Sequence, residues 1–322
     1  MKIRKCWAVA FTMVWTLALQ TSPAQDYPLK PIRLIVPQPP GGTSDIVGRA
    51  LAARLSGQMR QQVIVDNRVG ASGTIGTDVV AKAPPDGYTL VLIYTTHTTS
   101  PSLYPKLPYD PIADFAPITR VSSAPLLLAG HPQLPAKTVK ELATLAKAKP
   151  GELNFPSAGN GSGGHLAGEL FKVMTGANIT HVPYRGTAPA IIDLISGQMQ
   201  FMFAGIVPVD PHVKSGRLRG IAVTGAKRTA ALPQFPAVAE TLPGFEIVGW
   251  TGVLAPAKTP LAIIDKLHAE TLRALRTREF GERLKNEGAE VVGNSPAEFA
   301  EFLNADLQRW ARVIKRAGAK ID

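Results

Sequence analysis

The stretch Ser157-Ala158-Gly159-Asn160-Gly161-Ser162-Gly163-Gly164-His165 is the most glycine-dense segment of this 322-residue chain. A short apolar run, residues 153–155, precedes it, and apolar residues at helical spacing follow over residues 166–174. The glycines therefore lie between a predicted strand and a predicted helix. A helix start offers unpaired backbone N–H groups and the positive end of a dipole, and glycine lets a ligand approach that backbone closely. We interpret the stretch as a site for an anionic group.

Two alternatives remain for this stretch, a solvated flexible loop and a nucleotide site. Its glycines also satisfy G-x-G-x-x-G, which binds dinucleotides when an acidic residue ends the next strand, about 20 residues on. The next predicted strand, residues 179–182, is instead followed by Pro183-Tyr184-Arg185, and Asp193 comes only inside a predicted helix. The glycine spacing by itself is therefore weak evidence for a dinucleotide.

The N-terminus has the features of a secretory signal sequence. Basic residues within the first five positions precede an uncharged, mostly apolar run, residues 6–19, and Ser22-Pro23-Ala24 carries small residues at the positions that signal peptidase recognises. We predict a cleaved signal over residues 1–24, because the run is too short for a comfortable membrane span. A retained membrane anchor is the alternative.

Cleavage would change the charge and the redox chemistry of the chain. It would remove three positive charges and no negative ones, which lowers the net charge from +11 to +8, and it would remove the only cysteine, Cys6. The mature chain would then have no disulfide and no thiolate nucleophile or metal ligand. The remaining basic residues are scattered without interleaved aromatic residues, so we expect no nucleic-acid partner.

A second turn of the same kind occurs earlier in the chain. Residues 32–36 form an apolar run that predicts a buried strand, Pro37-Gln38-Pro39-Pro40-Gly41-Gly42-Thr43-Ser44-Asp45 follows, and a helical pattern begins there. A phosphate loop would need Gly-Lys-Ser/Thr, which is absent. We predict a carboxylate site at Gly41, Gly42, Thr43, Ser44 and Asp45. Asp45 would cap the helix or contact a cationic group of the ligand, and a plain strand–helix turn is the alternative.

Three further strand ends complete the candidate site. The predicted strand of residues 89–94 runs into Thr95-Thr96-His97-Thr98-Thr99-Ser100, which we predict to be a polar loop. Thr96 and His97 could hydrogen-bond a carboxylate there, because ligands of open α/β sheets bind beyond the carboxyl ends of the strands. A loop that only bonds its own backbone is the alternative. Tyr184 and Gly205 follow two later predicted strands and are included for the same reason.

Strands that alternate with helices predict α/β domains with largely parallel sheets. We expect one domain from residues 25–125 with 246–322 and another from residues 126–245, joined by two crossover segments with a ligand cleft between them.

The last predicted helix, from Ser295 to about residue 317, carries an apolar stripe typical of core packing. The stripe consists of Phe299, Phe302, Leu303, Leu307, Trp310 and Ile314.

The sequence offers many backbone donors and hydroxyls but few reactive groups. General acid–base catalysis needs two placed titratable groups, and the glycine turns contain only Asp45 and His165. Asn160 breaks the Gly-x-Ser-x-Gly pattern of a nucleophile elbow around Ser162, and no His-Glu-x-x-His motif is present. We therefore predict a binding protein with no catalytic residue, metal or cofactor.

The chain resembles the Bug-type extracytoplasmic solute receptors, the substrate-binding proteins of tripartite tricarboxylate transporters. The motifs that carry the resemblance are Tyr27-Pro28, Pro39-Pro40-Gly41-Gly42-x-x-Asp45, Asn67-Arg68-x-Gly70-x-x-Gly73, Leu107-Pro108-Tyr109-Asp110, Ser157-Ala158-Gly159-x-Gly161-Ser162-x-x-His165, Pro183-Tyr184-Arg185-Gly186, and Trp250 with Gly252. They extend over essentially the whole mature chain. Gln38 and Val69 depart from the residues that are common in the family at those positions.

The resemblance implies a two-domain, type II-like periplasmic binding protein. It also implies that ligand carboxylates are held by the turn from Gly41 to Asp45 and by the turn from Ser157 to Ser162, with ordered water, and that a two-part membrane permease is the partner. We expect a monomer that captures a dicarboxylate, a tricarboxylate, an amino acid or an aromatic acid. A periplasmic sensor that feeds a signalling system, or a periplasmic enzyme acting on such an acid, would be the alternatives.

Overall fold

The computed structural model describes residues 27–41, 43–184, 186–229, 232–286 and 288–317. The predicted signal sequence, residues 1–24, lies outside the described residues, as do Gly42 and Arg185. Strands and helices alternate along most of the chain, as the sequence predicts. Their bounds are β1 (Ile32–Val36), α1 (Thr43–Met59), β2 (Val63–Asn67), α2 (Thr74–Ala81), β3 (Thr89–Tyr94), α3 (Thr96–Leu103), β4 (Phe115–Gly130), α4 (Val139–Ala148), β5 (Asn154–Ser157), α5 (Gly163–Thr175), β6 (Thr180–Pro183), α6 (Thr187–Ile195), β7 (Phe201–Gly205), α7 (Ile206–Lys214), β8 (Arg219–Val223), β9 (Val248–Pro256), α8 (Leu261–Leu275), α9 (Arg278–Asn286), β10 (Glu290–Val291) and α10 (Pro296–Ala317).

The long strand β4 connects two groups of strands. Residues 115–125 of β4 pair with β9, and the sheet then continues with β3, β1 and β2 in that order. We call this group of strands, with its helices, the first lobe. Residues 126–130 of β4 pair with β7 and β8, and β5 packs beside β7 and pairs with β6, which together form the second lobe. The first lobe thus contains residues from both ends of the described chain. The predicted domain boundaries stay a prediction.

The prediction of largely parallel sheets was wrong. β1 is parallel to β2 and β3, and β5 is parallel to β6. However, β9 is antiparallel to both β3 and β4, and β4 is antiparallel to β7 and β8. The physical reason is that the chain passes from the first lobe to the second along β4 and returns to the first lobe just before β9. In each lobe the strand that arrives from the other lobe runs against its neighbours.

The strand directions bring the carboxyl ends of β3, in the first lobe, and β7, in the second lobe, to the middle of β4. Tyr94 at the end of β3 pairs with Thr251, which in turn pairs with Ser122 of β4. Gly205 at the end of β7 pairs with Leu126 of β4 from the other side. The turns that follow these strands therefore face the same region from opposite lobes.

Each lobe has its own apolar core, and α10 packs into both. Phe299 and Leu303, in the first half of α10, are buried against β1, β3 and β9. Trp310 and Ile314, in its second half, are buried in the core of the second lobe, which is rich in phenylalanine. The predicted apolar stripe is therefore core. Its helix starts with the expected capping box, in which the Glu298 amide donates to Ser295 Oγ and the Glu298 carboxylate accepts from the Ser295 amide.

None of the helices in the described part of the chain combines the length and the hydropathy that a membrane span needs.

Gly164 sets how closely α5 approaches β7. A methyl group on Gly164 would lie 2.3 Å from the Phe203 carbonyl oxygen, so α5 or β7 would have to move. We expect Gly164→Ala to lower the free energy of unfolding by about 1–3 kcal/mol, measured by urea denaturation. Gly57→Ala, in an exposed part of α1 with no atom within 4 Å, is the matched control and should raise stability by about 0.5–1 kcal/mol. An equally stable Gly164→Ala protein would contradict this packing.

Candidate functional site

The turn of residues 157–165 joins β5 to α5 in the second lobe, as predicted. Gly159 has φ of +126° and Gly161 has φ of +77°, both in the region that favours glycine. The Ser162 side chain caps α5 by accepting a hydrogen bond from the His165 amide at 3.4 Å. The glycines are therefore required by the backbone conformation of the turn.

Part of the backbone of this turn is bonded inward. The Gly159 amide donates to Ser157 Oγ at 3.1 Å, and the Gly161 amide donates to His165 Nδ1 at 3.0 Å. The Ser162 amide donates to the Gly159 carbonyl at 3.2 Å. These bonds fix the shape of the turn, and the amides that make them are engaged within the protein.

The intervening amides of the turn are not engaged in this way. Within the described part of the chain, no group accepts a hydrogen bond from the amides of Ala158 and Asn160, and the same holds for Gly163 at the start of α5. Ala158 is exposed, and Asn160 and Gly163 are half-buried. The turn therefore presents backbone donors beside a helix N-terminus, which is an arrangement that suits an anion.

The turn of the first lobe is organised by the carboxylate of Asp45. Asp45 is almost fully buried, and its carboxylate accepts from the Gly41 amide at 2.9 Å, from Asn67 Nδ2 at 2.9 Å and from Arg49 Nε at 2.9 Å. Asn67 also donates to the Gln38 carbonyl at 3.0 Å, which ties the end of β2 to this turn. Burial alone would raise the pKa of Asp45, but the bonds from Arg49, Gly41 and Asn67 hold the pKa below its ordinary value. Asp45 is thus the residue that holds the turn together.

The other predicted residues of this turn lie beside Asp45. Thr43 begins α1, and Ser44 is buried in its first turn, where helix amides have no intrahelical acceptor. Gly41 has φ of +81°, and a methyl group there would meet no described atom within 4 Å. Gly41 is therefore open to a ligand on the side where a side chain would be. Gly42 lies outside the described residues.

The predicted polar loop of residues 95–100 is in fact the start of helix α3. Its threonine hydroxyls find acceptors within the fold, since Thr98 Oγ1 donates to the buried Asp306 carboxylate at 2.6 Å and Thr99 Oγ1 donates to the Thr96 carbonyl at 3.4 Å, so a polar sequence is satisfied inside a helix. His97 is buried between Tyr109 and Phe115, and its Nε2 bonds the Pro111 carbonyl at 2.8 Å. Burial lowers the pKa of His97 to about 4. Thr96 and His97 both line a small cavity, together with Pro37 and Ser72.

The remaining predicted residues surround the turn of the second lobe. The Tyr184 amide donates to the Ser157 carbonyl at 3.0 Å, and its hydroxyl donates to Asp193 at 2.5 Å. Gly205 is the last residue of β7 and leads directly into α7. His165 is buried behind the turn, where burial lowers its pKa to about 4.

The turn of residues 70–73 lines the same small cavity as Thr96, and the sequence did not predict it as part of the site. Ala71 and Ser72 both have left-handed φ, of 45° and 53°. Two tyrosines fix them, because the Tyr94 hydroxyl donates to the Ser72 carbonyl at 3.1 Å and the Tyr104 hydroxyl to Ser72 Oγ at 3.0 Å. The sequence signal was the spacing of Gly70 and Gly73, but the distant tyrosines were not predictable from it.

The two lobes touch beside these turns. A methyl group on Gly161 would lie 2.9 Å from Leu103 Cδ1 of α3, so the turn of the second lobe packs against a helix of the first. No group of three or more metal-ligating side chains occurs among the described residues. The arrangement therefore consists of two helix-start turns from different lobes, whose free donors are mainly backbone amides.

The fold and these two turns define a mixed α/β solute-binding protein. The family model described as "Tripartite tricarboxylate transporter family receptor" matches residues 47–319. The chain belongs to this family, whose receptors are periplasmic binding proteins. Protein BugT of Bordetella pertussis is 38% identical over 301 residues, which is 92% of this chain and 92% of BugT. These findings confirm the resemblance to Bug-type receptors.

Solved structures agree with the family and confirm the fold class. R. palustris Rpa4515 with adipate matches with a TM-score of 0.83 at 38% identity, over 92% of this chain and 100% of that one. MatC (Rpa3494) from Rhodopseudomonas palustris with bound malate matches with a TM-score of 0.79 at 33% identity, over 89% of this chain and 100% of that one. Two similar proteins have thus been solved with small dicarboxylates.

We expect Asp45→Ala to lower the free energy of unfolding by about 1–3 kcal/mol, because the Gly41 and Asn67 amides lose their buried acceptor. Urea denaturation measures the effect. Glu282→Ala is the matched control, since it breaks an exposed ion pair with Arg278 and should change stability by about 0.5 kcal/mol or less. Similar effects of the two substitutions would contradict the role assigned to Asp45.

We expect the free energy of unfolding to fall as the pH is lowered from about 6.5 toward 4. Burial lowers the pKa of His97 and His165 to about 4 and that of His181 to about 3, from 6.5. In this window the unfolded chain binds protons that the folded protein does not, so stability that is fully present above pH 6.5 is lost on acidification. Between pH 6.5 and 4 each ring contributes at most about 3 kcal/mol, since one pKa unit is about 1.4 kcal/mol and the window spans 2.5 units.

The sharpest form of this test is a comparison with His97→Gln. Burial raises the pKa of Glu169 and Asp306, and these groups act in the opposite direction in wild type and variant alike. A glutamine amide can replace the bond from His97 to the Pro111 carbonyl but does not titrate. The stability of the variant should therefore change less between pH 7 and 4.5, and an identical pH dependence would contradict the assignment.

Proposed function

We propose that this chain is a periplasmic receptor that captures a small dicarboxylate in the cleft between its lobes and delivers it to a tripartite tricarboxylate-type transporter. The observation that carries the proposal is that each lobe presents a helix-start turn at the carboxyl end of a strand, after β1 in the first lobe and after β5 in the second, and that the second of these turns packs against α3 of the first lobe. The adipate and malate of the two similar structures support this ligand class.

The binding chemistry follows from the donors in the two turns. A carboxylate would accept from the amides of Ala158 and Asn160 on one side and from the first turn of α1, at Ser44, on the other. Charge-assisted hydrogen bonds of this kind contribute about 1.5–3 kcal/mol each. A ligand with two carboxylates could engage both lobes at once, which would favour the closed arrangement of the lobes over an open one.

We propose that the lobes correspond to domains of residues 25–125 with 246–322 and of residues 126–245, and that they close as a hinge. Three segments would have to accommodate the motion. The chain crosses between the lobes within β4 and again just before β9, and α10 packs into both cores. Residues 1–24 would be removed on export, and a two-part membrane permease would receive the closed form.

We propose binding without turnover. The groups that a catalytic alternative would use are committed elsewhere in the fold. Asp45 is held by three donors, His97 bonds the Pro111 carbonyl within an aromatic cluster, and His165 Nδ1 accepts from the Gly161 amide. These bonds favour binding over turnover.

Titration calorimetry of the mature chain with adipate and malate tests the proposal. We expect saturable binding of at least one of these dicarboxylates, with a Kd in about the micromolar range, and a rise in Tm on adding it. Acetate should bind more weakly, because it can engage only one lobe. Absence of binding by adipate, malate and a wider panel of small acids would contradict the proposal.

A pair of glycine variants locates the site. Gly41→Leu places a side chain where the ligand would approach the backbone, and we expect affinity to fall by roughly tenfold or more. Gly216→Leu is the control, since Gly216 has a similar φ of +74° and equally open surroundings at the end of α7. Both proteins should carry the same backbone strain, so equal affinities would exclude the Gly41 turn from the site.

A further inference from the structure

Two imidazole rings are stacked behind the turn of residues 157–165. The centroids of His165 on α5 and His181 on β6 are 4.0 Å apart, and the ring planes differ by 19°. His165 is almost fully buried and His181 is half-buried. Both rings lie on the protein side of the turn, so neither has to touch a ligand to influence it.

His165 holds one position of the turn through a single atom. Its Nδ1 accepts the Gly161 amide hydrogen at 3.0 Å, which requires an unprotonated Nδ1 and places the ring proton on Nε2. That nitrogen lies 3.9 Å from Glu169 Oε1, and Glu169 is paired with Lys172. The acceptor that orients Gly161 is therefore supplied by a neutral imidazole.

His181 holds the other position through a serine. Its Nε2 lies 2.6 Å from Ser157 Oγ, and Ser157 is fully buried. The same hydroxyl accepts from the Gly159 amide at 3.1 Å and donates to the Gly159 carbonyl at 3.0 Å. With the His181 ring proton on Nε2, the Ser157 oxygen accepts two hydrogen bonds and donates one, so all of its bonding capacity is used.

These anchors alternate with the unengaged amides along the turn. The amides of Gly159 and Gly161 are held inward, and the amides of Ala158 and Asn160 lie between them without an acceptor in the described residues. Peptide units are planar, so fixing the inward amides restricts the orientation of the outward ones. Both anchored residues are glycines, which would otherwise sample a wide range of backbone conformations.

We propose that His165 and His181 are positioning residues that hold the turn of residues 157–165 so that the amides of Ala158 and Asn160 face the ligand carboxylate. This inference rests on the proposed function, because it takes the ligand to be a carboxylate bound at this turn. It assigns His165 a role through Gly161 in place of the direct ligand contact expected from the sequence.

A packing role and a positioning role make opposite predictions for two substitutions of His165. Leucine approximates the volume of the ring but offers no acceptor to the Gly161 amide. Asparagine is smaller and leaves a cavity, but its Oδ1 can accept from that amide in place of Nδ1. Packing alone therefore ranks His165→Leu above His165→Asn in every measurement, whereas positioning reverses the ranking for affinity only.

The experiment measures Kd by titration calorimetry with malate and adipate at pH 7.5, together with Tm without ligand. We expect His165→Asn to stay within about threefold of wild type and His165→Leu to lose roughly tenfold or more, although His165→Leu has the higher Tm. In the same way His181→Gln, which keeps a donor for Ser157, should bind more tightly than His181→Leu. His131→Leu, a histidine of the second lobe outside this turn, should bind as wild type does.

Equal affinities of the Asn and Leu variants, or weaker binding by the Asn variant, would overturn the positioning role while leaving the proposed function intact. Failure of the wild-type chain to bind any dicarboxylate would instead overturn the proposed function. A second readout is amide hydrogen exchange at Gly161, which should accelerate in His165→Leu and stay protected in His165→Asn. Unchanged protection in both variants would also contradict the inference.

Discussion

The structure depends on the unpaired amides at the starts of its helices. A strand that leads directly into a helix leaves the first N–H groups of that helix without intrahelical acceptors. In the described chain β1, β2, β3, β5, β6, β7, β9 and β10 each lead within six residues into an α-helix. Before α1 and α5 the turn contains glycines with positive φ, and buried polar side chains take up some of the amides. The remaining amides then form a fixed array of donors that needs no cationic side chain to attract an anion.

The two lobes stabilise their helix-start turns with different side chains. In the first lobe a buried carboxylate, Asp45, collects the amides and side chains that define the turn. In the second lobe the equivalent support comes from Ser157, His165 and His181, which are neutral at ordinary pH. The turn of the second lobe lies beside the middle of β4, because a methyl group on Gly163 would lie 3.4 Å from the Leu126 side chain. The turn of residues 157–165, which we propose binds the ligand, also makes a contact between the lobes, because Gly161 packs against Leu103 of α3.

Much of this could be predicted from the sequence. Apolar runs and glycine turns located β1, β5 and the helices that follow them, and Ser295 marked the start of α10 correctly. The α3 region was predicted wrongly because threonine hydroxyls that return to the backbone give a helix the composition of a loop. The antiparallel pairings and the bonds from Asn67 to Asp45 and from Tyr94 to Ser72 join residues about 20 or more positions apart. Such contacts depend on topology, which local patterns do not encode.

The most direct test of the account is a crystal structure of the mature chain with malate or adipate bound. The account predicts that one ligand carboxylate lies within hydrogen-bond distance of the amides of Ala158 or Asn160, and that the other group of the ligand meets the start of α1 beside Gly41 and Ser44. A ligand held only by side chains, or bound away from the region between the two turns, would contradict the claim that backbone amides of both lobes form the site.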